Sequence, residues 1–351
     1  MNLHALQHHQ FPSQRFTYSV KDTALYALSV GVGDDPLDPH QLRLVYEKTL
    51  RALPTFASVI AVPAPWIRNP AFDVHYERLL HGEQTLTMHA PLPANADVEA
   101  HYRVIAVDDK GAQKGALLHF ERSLSELATG ETLCTVTSTL FLRADGGCGS
   151  FGVPPAAWPS APTHAFSGTP DFTDELTTTA RAALLYRLNG DLNPLHIDPA
   201  AATAGGFDRP ILHGLCTYGI AGYLLVRTAC EHDPSRLRVL NVRFKSPVYP
   251  GETIRLEAWR GPEGIHFQAI VPERNQVVLS NGFARIQRPP RIFHPPYLIY
   301  FLTRPLINYH SAPDGVIECL TVELNRMLPT SRGYAWIVPP SPLPTHGQCP
   351  V

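Results

Sequence analysis

Residues 26 to 39 read YALSVGVGDDPLDP and residues 186 to 199 read YRLNGDLNPLHIDP, so a Tyr-x-Leu, a Gly-Asp, a Pro-Leu and an Asp-Pro recur about 160 residues apart. The register holds further on, where LPTFASVIA from Leu53 lies opposite HGLCTYGIA from His213. A chain that repeats itself at this distance is constrained to build one supersecondary unit twice. The two copies are not equivalent. After Pro36 the first continues with Leu37 and Asp38 and has no histidine, whereas the second carries His196 five residues after Asp191.

Each copy shows the same coarse order. An amphipathic helix is predicted at about 21–31 and 173–188, then an irregular loop, then a second apolar helix at about 41–62 and 214–232. Strand patterns follow at 84–89, 98–107, 116–122 and 131–142 in the first half, and at 238–244, 253–259, 264–271 and 276–286 in the second. Helix followed by several strands argues for an α+β fold, with an antiparallel sheet wrapped on a helix rather than a parallel βαβ sheet. The expected domains are 12–145 and 173–288, joined by a Gly- and Pro-rich linker at 146–172. Residues 289–351 hold 12 of the 34 prolines and lack sustained periodicity, which predicts a poorly ordered tail. Gly147, Gly149 and Gly152 satisfy G-x-G-x-x-G, but Pro154 and Pro155 follow at once, so the glycines do not open the helix that a dinucleotide site requires.

With 44% hydrophobic and 17% charged residues the chain reads as globular, and a formal charge of -2 gives no electrostatic argument for nucleic acid or an anionic membrane. Cys134, Cys148, Cys216, Cys230, Cys319 and Cys349 form no C-x-x-C pair, which argues against a zinc site or a disulfide scaffold and favours reduced thiols in the cytoplasm. The N-terminal MNLHALQHHQF has no basic patch followed by an apolar core, and its histidines have no acidic or cysteine partner nearby, so neither a secretion signal nor a metal site is expected there. The apolar stretch PPYLIYFLTRPLI is too short to span a bilayer and is broken by Arg304 and Pro305; Cys349, Pro350 and Val351 are not a peroxisomal address.

The chemistry concentrates in the second copy of the repeat. Pro194 removes a backbone donor and biases Asn193 toward an extended conformation, so the chain between Asp191 and His196 is expected to be a tight, irregular loop that aims both side chains into one cleft. Alone, such a pair is more often a turn cap and a surface histidine. Facing one space, a carboxylate and an imidazole can hold a water and move protons, the requirement for hydration or dehydration. Gly214 stands where an apolar helix begins, and its free N–H would lie at the positive end of the helix dipole, in position to serve as an oxyanion hole. Cys216 has no base beside it and reads as core.

The run from Tyr186 resembles the signature of the MaoC-like, or hydratase 2, family of (R)-specific enoyl-CoA hydratases. Tyr186, Leu188, Gly190, Asp191, Asn193, Pro194, Leu195, His196 and Ala202 match it, and Asn189 departs where the family usually has a smaller residue. The segments PILHGLCTYG, LLHGEQTLTMHAPLP and NVRFKSPVYPGETI also resemble family blocks. The resemblance covers roughly residues 12 to 288 and implies two hot-dog folds in tandem. It implies Asp191, His196, Asn193 and Gly214 as catalytic residues, with His81, Gly82, Lys110, Leu192, Pro194, Leu195 and Phe244 on the acyl-CoA substrate. Arg243 and Lys245 are further candidate phosphate contacts. The activity implied is reversible addition of water to a trans-2-enoyl-CoA, with no cofactor and with pairing of chains into a homodimer possible. A thioesterase, or a non-catalytic acyl-CoA-binding subunit, are the other readings; crotonyl-CoA turnover separates them.

Overall fold

A computed structural model describes residues 1–159 and 168–287. The expected tail at 289–351 lies outside the described residues, as does part of the expected linker. The chain forms strands β1 (Gln14–Tyr18), β2 (Leu79–Met88), β3 (Ala96–Asp109), β4 (Ala116–Glu126), β5 (Thr132–Leu142), β6 (Phe151–Gly152), β7 (Phe172–Thr177), β8 (Leu237–Phe244), β9 (Thr253–Arg260), β10 (Ile265–Val271) and β11 (Gln276–Ile286). The helices are α1 (Leu3–His8), α2 (Val20–Ser29), α3 (Pro39–Leu42), α4 (Ala182–Tyr186), α5 (Pro199–Ala204) and α6 (Gly214–Thr228).

All strand pairs are antiparallel and belong to one sheet ordered β1-β3-β4-β5-β2-β8-β11-β10-β9-β7, with β6 added beside β3. Read outward from the β2–β8 seam, each half has the same order: β2-β5-β4-β3-β1 on one side and β8-β11-β10-β9-β7 on the other. The sequence repeat is therefore a structural repeat, and the fold is a double hot-dog. The seam runs from Glu83 opposite Arg243 to Thr87 opposite Val239. Alternation along the strands explains the curl around a core: on β4 the side chains of Ala116, Leu118, Phe120, Arg122 and Leu124 are buried, while the residues between them, His119 apart, are half-exposed.

In the second half α6 fills the curl, with Cys216 to Val226 buried without interruption. Two of its glycines permit close approach: a Cβ on Gly219 would lie 2.6 Å from the Tyr26 hydroxyl of α2, and one on Gly222 would lie 2.6 Å from Thr55. The first half differs from the expected pattern. The continuous helix anticipated at 41–62 is instead α3 and a short 3-10 turn at Pro54–Ser58, because Pro54 can begin a helical turn but not continue one, and Ala61 adopts a left-handed φ of 49°. The helix anticipated at 173–188 is likewise divided. Phe172–Thr177 is an edge strand that pairs with β9, and only Ala182–Tyr186 is α-helical. The strand β1 was not anticipated. Gly147 and Gly149 donate their N–H groups to Asp109, tying the start of the expected linker to the end of β3.

Candidate active site

The loop after α4 is built by local chemistry. A 3-10 turn at Arg187–Asn189 ends at Gly190, whose φ of 110° favours glycine and reverses the chain toward Asp191. The Asn193 N–H donates to Asp191 Oδ1 at 3.1 Å, and Asn193 Oδ1 accepts from the Leu195 N–H at 3.1 Å. Pro194 opens the next 3-10 turn, which delivers His196 into the interior while Asp191, Leu192, Asn193 and Pro194 stay exposed. Asn189, the position that departs from the family pattern, ties this loop to the first half by donating to Ser29 Oγ at 2.9 Å and to the Tyr186 carbonyl at 2.8 Å.

His196 Nδ1 lies 2.9 Å from the Ile211 carbonyl. A carbonyl only accepts, so Nδ1 carries the hydrogen and the neutral ring presents a bare Nε2. Burial pushes the His196 imidazole below its usual range, against the opposing pull of the Ile211 carbonyl and Asp191, and the resting ring is neutral. His213, at the N-cap of α6, stacks on it with ring centroids 3.8 Å apart. Its Nε2 donates to the Asp191 carbonyl at 3.2 Å, and its Nδ1 is buried without a hydrogen-bond partner. Burial first, and then the facing His196 ring, hold His213 well below the usual histidine range. Asp191, His196 and His213 bring ligating atoms within 4.8 Å of one another. His196 Nδ1 and His213 Nε2 each donate to a backbone carbonyl, leaving one ring nitrogen of each as an acceptor.

A cavity of about 630 Å³ opens beside this loop, inside the size range of small-molecule sites. Its wall includes Tyr186, Leu188, Asp191 and Leu215 from the second half and Phe56, Ile60, Trp66, Phe120 and Arg122 from the first. Of the other residues expected to contact substrate, His81 lines the cavity, with Nε2 2.9 Å from Gln84 Oε1 and its ring 4.9 Å from that of Phe244. Phe244 packs between His81 and Gly214, where a Cβ would meet its ring at 3.4 Å. Gly82 sits at a bulge of β2 and Leu195 packs against Gly205; neither lines the cavity, nor do Leu192 and Pro194. Lys110 is also outside the cavity wall. Its ammonium pairs with Asp108, two residues earlier at the end of β3, where both residues can remain solvated. Arg243 is paired across the seam with Glu83 at 2.6 Å rather than standing free, and Lys245 is exposed.

Gly214 is the first residue of α6, and its N–H makes no backbone hydrogen bond. An orphan donor at the positive end of a buried 15-residue helix can stabilise an anionic oxygen. The sequence reading missed His213. The available signal was an imidazole placed immediately before a glycine at the start of an apolar helix.

A sheet of this order, with Asp191 on the wall of a cavity shared by both halves and His196 and His213 close to its carboxylate, belongs to the double hot-dog class. Family profiles agree with that division of the chain: the MaoC like domain matches residues 163–281 and the MFE-2 hydratase 2 N-terminal domain matches residues 16–144. The chain is 37% identical over 292 residues to Enoyl-CoA hydratase 2, peroxisomal, of Arabidopsis thaliana, covering 80% of this chain and 93% of that one. It is 34% identical over 281 residues to Peroxisomal multifunctional enzyme type 2 of Mus musculus, covering 78% of this chain and 37% of the longer relative. A MaoC-like dehydratase from Phytophthora capsici superposes with a TM-score of 0.72 at 31% identity, covering 82% of this chain and all of that one. The chain belongs to the MaoC-like, hydratase 2 family.

Proposed function

We propose that this protein is an (R)-specific 2-enoyl-CoA hydratase, adding water across the trans-2 double bond of an acyl-CoA to give the (3R)-3-hydroxyacyl-CoA and catalysing the reverse dehydration. The observation that carries this reading is the carboxylate of Asp191 beside the neutral imidazole of His196, in a loop that borders a cavity shared by both halves. A water between them donates one hydrogen toward Asp191 and one toward Nε2 of His196. As the water oxygen bonds to C3, the C2–C3 π bond breaks and negative charge moves to the thioester oxygen, where the Gly214 N–H receives it. One water proton enters the Asp191–His196 pair, and the pair delivers a proton to C2, so both groups end as they began. Because His196 starts neutral, it serves as the acid only after taking up that proton.

Asn193 holds the loop in shape. The degenerate first half supplies most of the apolar wall, which favours bulky acyl chains. We place the activity in the cytoplasm, in fatty acid or related acyl-CoA metabolism, with pairing of two chains into a homodimer; separately, among the described residues no helix is long and apolar enough to cross a membrane. Localisation by fluorescent fusion and sedimentation test those two points. The activity itself is tested by following loss of the conjugated thioester absorbance with crotonyl-CoA. Asp191→Asn and His196→Gln are each expected to cut turnover by roughly two to four orders of magnitude while the protein stays folded. Near-normal turnover in either variant overturns the assignment.

A further inference from the structure

In the sequence repeat, Ser29 of the first copy stands where the second copy has Asn189, and Tyr26 stands where the second has Tyr186. The fold brings these equivalent positions together. The Tyr26 and Tyr186 rings, both buried, meet with centroids 6.3 Å apart, and Asn189 Nδ2 donates to Ser29 Oγ at 2.9 Å. The direction of that bond is fixed at both ends. The Tyr186 carbonyl, 2.8 Å from Asn189 Nδ2, can only accept, so the amide cannot be turned over. Ser29 Oγ gives its one hydrogen to the Tyr26 carbonyl at 2.7 Å and is left to accept from Asn189. The smaller residue usual at position 189 in the family has no amide, so this tie belongs to the present chain.

Ser29 is the last residue of α2, is 4% exposed, and does not line the cavity. It nevertheless touches both elements that carry the reacting groups. Through Asn189 it holds the Arg187–Asn189 turn, from which Gly190 leads straight into Asp191. Its carbonyl accepts from the Cys216 thiol at 3.5 Å, in the first turn of α6, the helix that begins with Gly214 and whose N-cap His213 bonds the Asp191 carbonyl. The bonds of Asn193 to Asp191 and Leu195 set the shape of the loop from within. They do not set where that loop stands. Among the described residues, the Asn189–Ser29 bond is the only hydrogen bond that joins residues 187–196 to the first half.

Building on the hydratase assignment, we infer that Ser29 and Asn189 are positioning residues, through which the copy without an acid–base pair sets the placement of Asp191 against the enoyl chain and the Gly214 N–H. The first half then contributes to the chemical step as well as to the acyl pocket. Asp191 must meet a water and a double bond together, and a displacement of about 1 Å is enough to cost on the order of a hundredfold in rate.

The test is a double-mutant cycle. Ser29→Ala removes the acceptor from outside the cavity, and Asn189→Ala removes the donor. Each is expected to lower kcat for hydration of crotonyl-CoA about ten- to hundredfold while KM stays within about threefold, the signature of lost alignment and not of lost binding. Because both substitutions break one bond, the double variant is expected to be no more than about twofold slower than the slower single variant. Amide hydrogen exchange of a peptide covering residues 187–196 reads the placement without turnover, and it is expected to be faster in Ser29→Ala than in the wild type, with the melting transition still cooperative. If Asn189→Ala does not fold, Ser29→Ala decides by kcat and exchange. A folded Ser29→Ala protein with wild-type kcat and unchanged exchange, losses that multiply in the double variant, or a change confined to KM overturns the inference. Absence of crotonyl-CoA turnover by the wild type removes the hydratase assignment instead, and the exchange comparison still decides whether Ser29 holds the loop.

Discussion

The backbone N–H of Gly214 can be deleted without deleting a helix. Gly214 is the first residue of α6, a position whose N–H has no intrahelical partner and where proline is well tolerated. The preceding residue is also compatible with proline, since His213 has φ -57° and ψ 133°, in the extended region that a following proline requires. A Cβ at 214 meets the Phe244 ring at 3.4 Å, an ordinary contact. Gly214→Pro therefore removes the donor while keeping the chain path, and Gly214→Ala keeps the donor while adding the Cβ. Loss of one oxyanion donor costs roughly a hundred- to a thousandfold in kcat, about 3 to 4 kcal/mol. Gly214→Pro is expected to lose that much in the enoyl-CoA hydration assay, and Gly214→Ala to stay within a few-fold of wild type, with both proteins melting cooperatively. Equal losses in the two variants would show that space beside Phe244 matters and the N–H does not. A folded Gly214→Pro protein with full activity would refute the oxyanion role.

Further expectations follow from the site and its packing. His196 acts as a proton acceptor from a folded-state pKa below the usual 6.5, so kcat/KM should hold as pH falls through 6.5 and decline only below it; an acid limb centred above 6.5 contradicts the neutral resting ring. Both buried imidazoles bind protons more readily when unfolded, so stability should decrease as pH falls below about 6.5, and His213→Gln should flatten that slope in denaturant titrations. Gly219→Ala places a Cβ 2.6 Å from the Tyr26 hydroxyl and 2.7 Å from Val30 Cγ1, and should destabilise the fold by about 1–3 kcal/mol, read as a lower Tm. Lys110→Ala tests whether that residue reaches the CoA: KM should rise with kcat unchanged and the effect should fade with salt, whereas no change leaves Lys110 as the partner of Asp108 alone.

The strands after each helix were legible because one face of each of them is buried, which writes a period of two into the sequence. The edge strand β7 was not, because in FTDELT only Leu176 is buried, and the apolar AALLY that follows extends a helical pattern backward across it. In the first half the apolar content of LPTFASVIA was read as part of a long helix, but Pro54 permits only a short turn, a constraint that outweighs apolar periodicity. The approach of Asp191 and His196 to one another was legible from Asp191, Pro194 and His196 together. The second imidazole was not, since His213 reaches the loop from the start of α6, 22 residues beyond Asp191, and only the fold stacks it on His196. Lys110, expected at the substrate from its match to the family, pairs with Asp108 outside the cavity wall, and the match alone does not fix whether its side chain reaches the CoA.

The stereochemical outcome of hydration tests the central claim most directly, because it depends on which face of the double bond the Asp191–His196 pair presents to a bound water. Purified protein is incubated with a trans-2-enoyl-CoA, and the product is resolved by chiral chromatography and offered to a dehydrogenase specific for (3S)-3-hydroxyacyl-CoA. The account predicts a single 3R product that gives no dehydrogenase signal, formed by the wild type and lost in Asp191→Asn. A 3S or racemic product, or free CoA released by thioester hydrolysis, would contradict it.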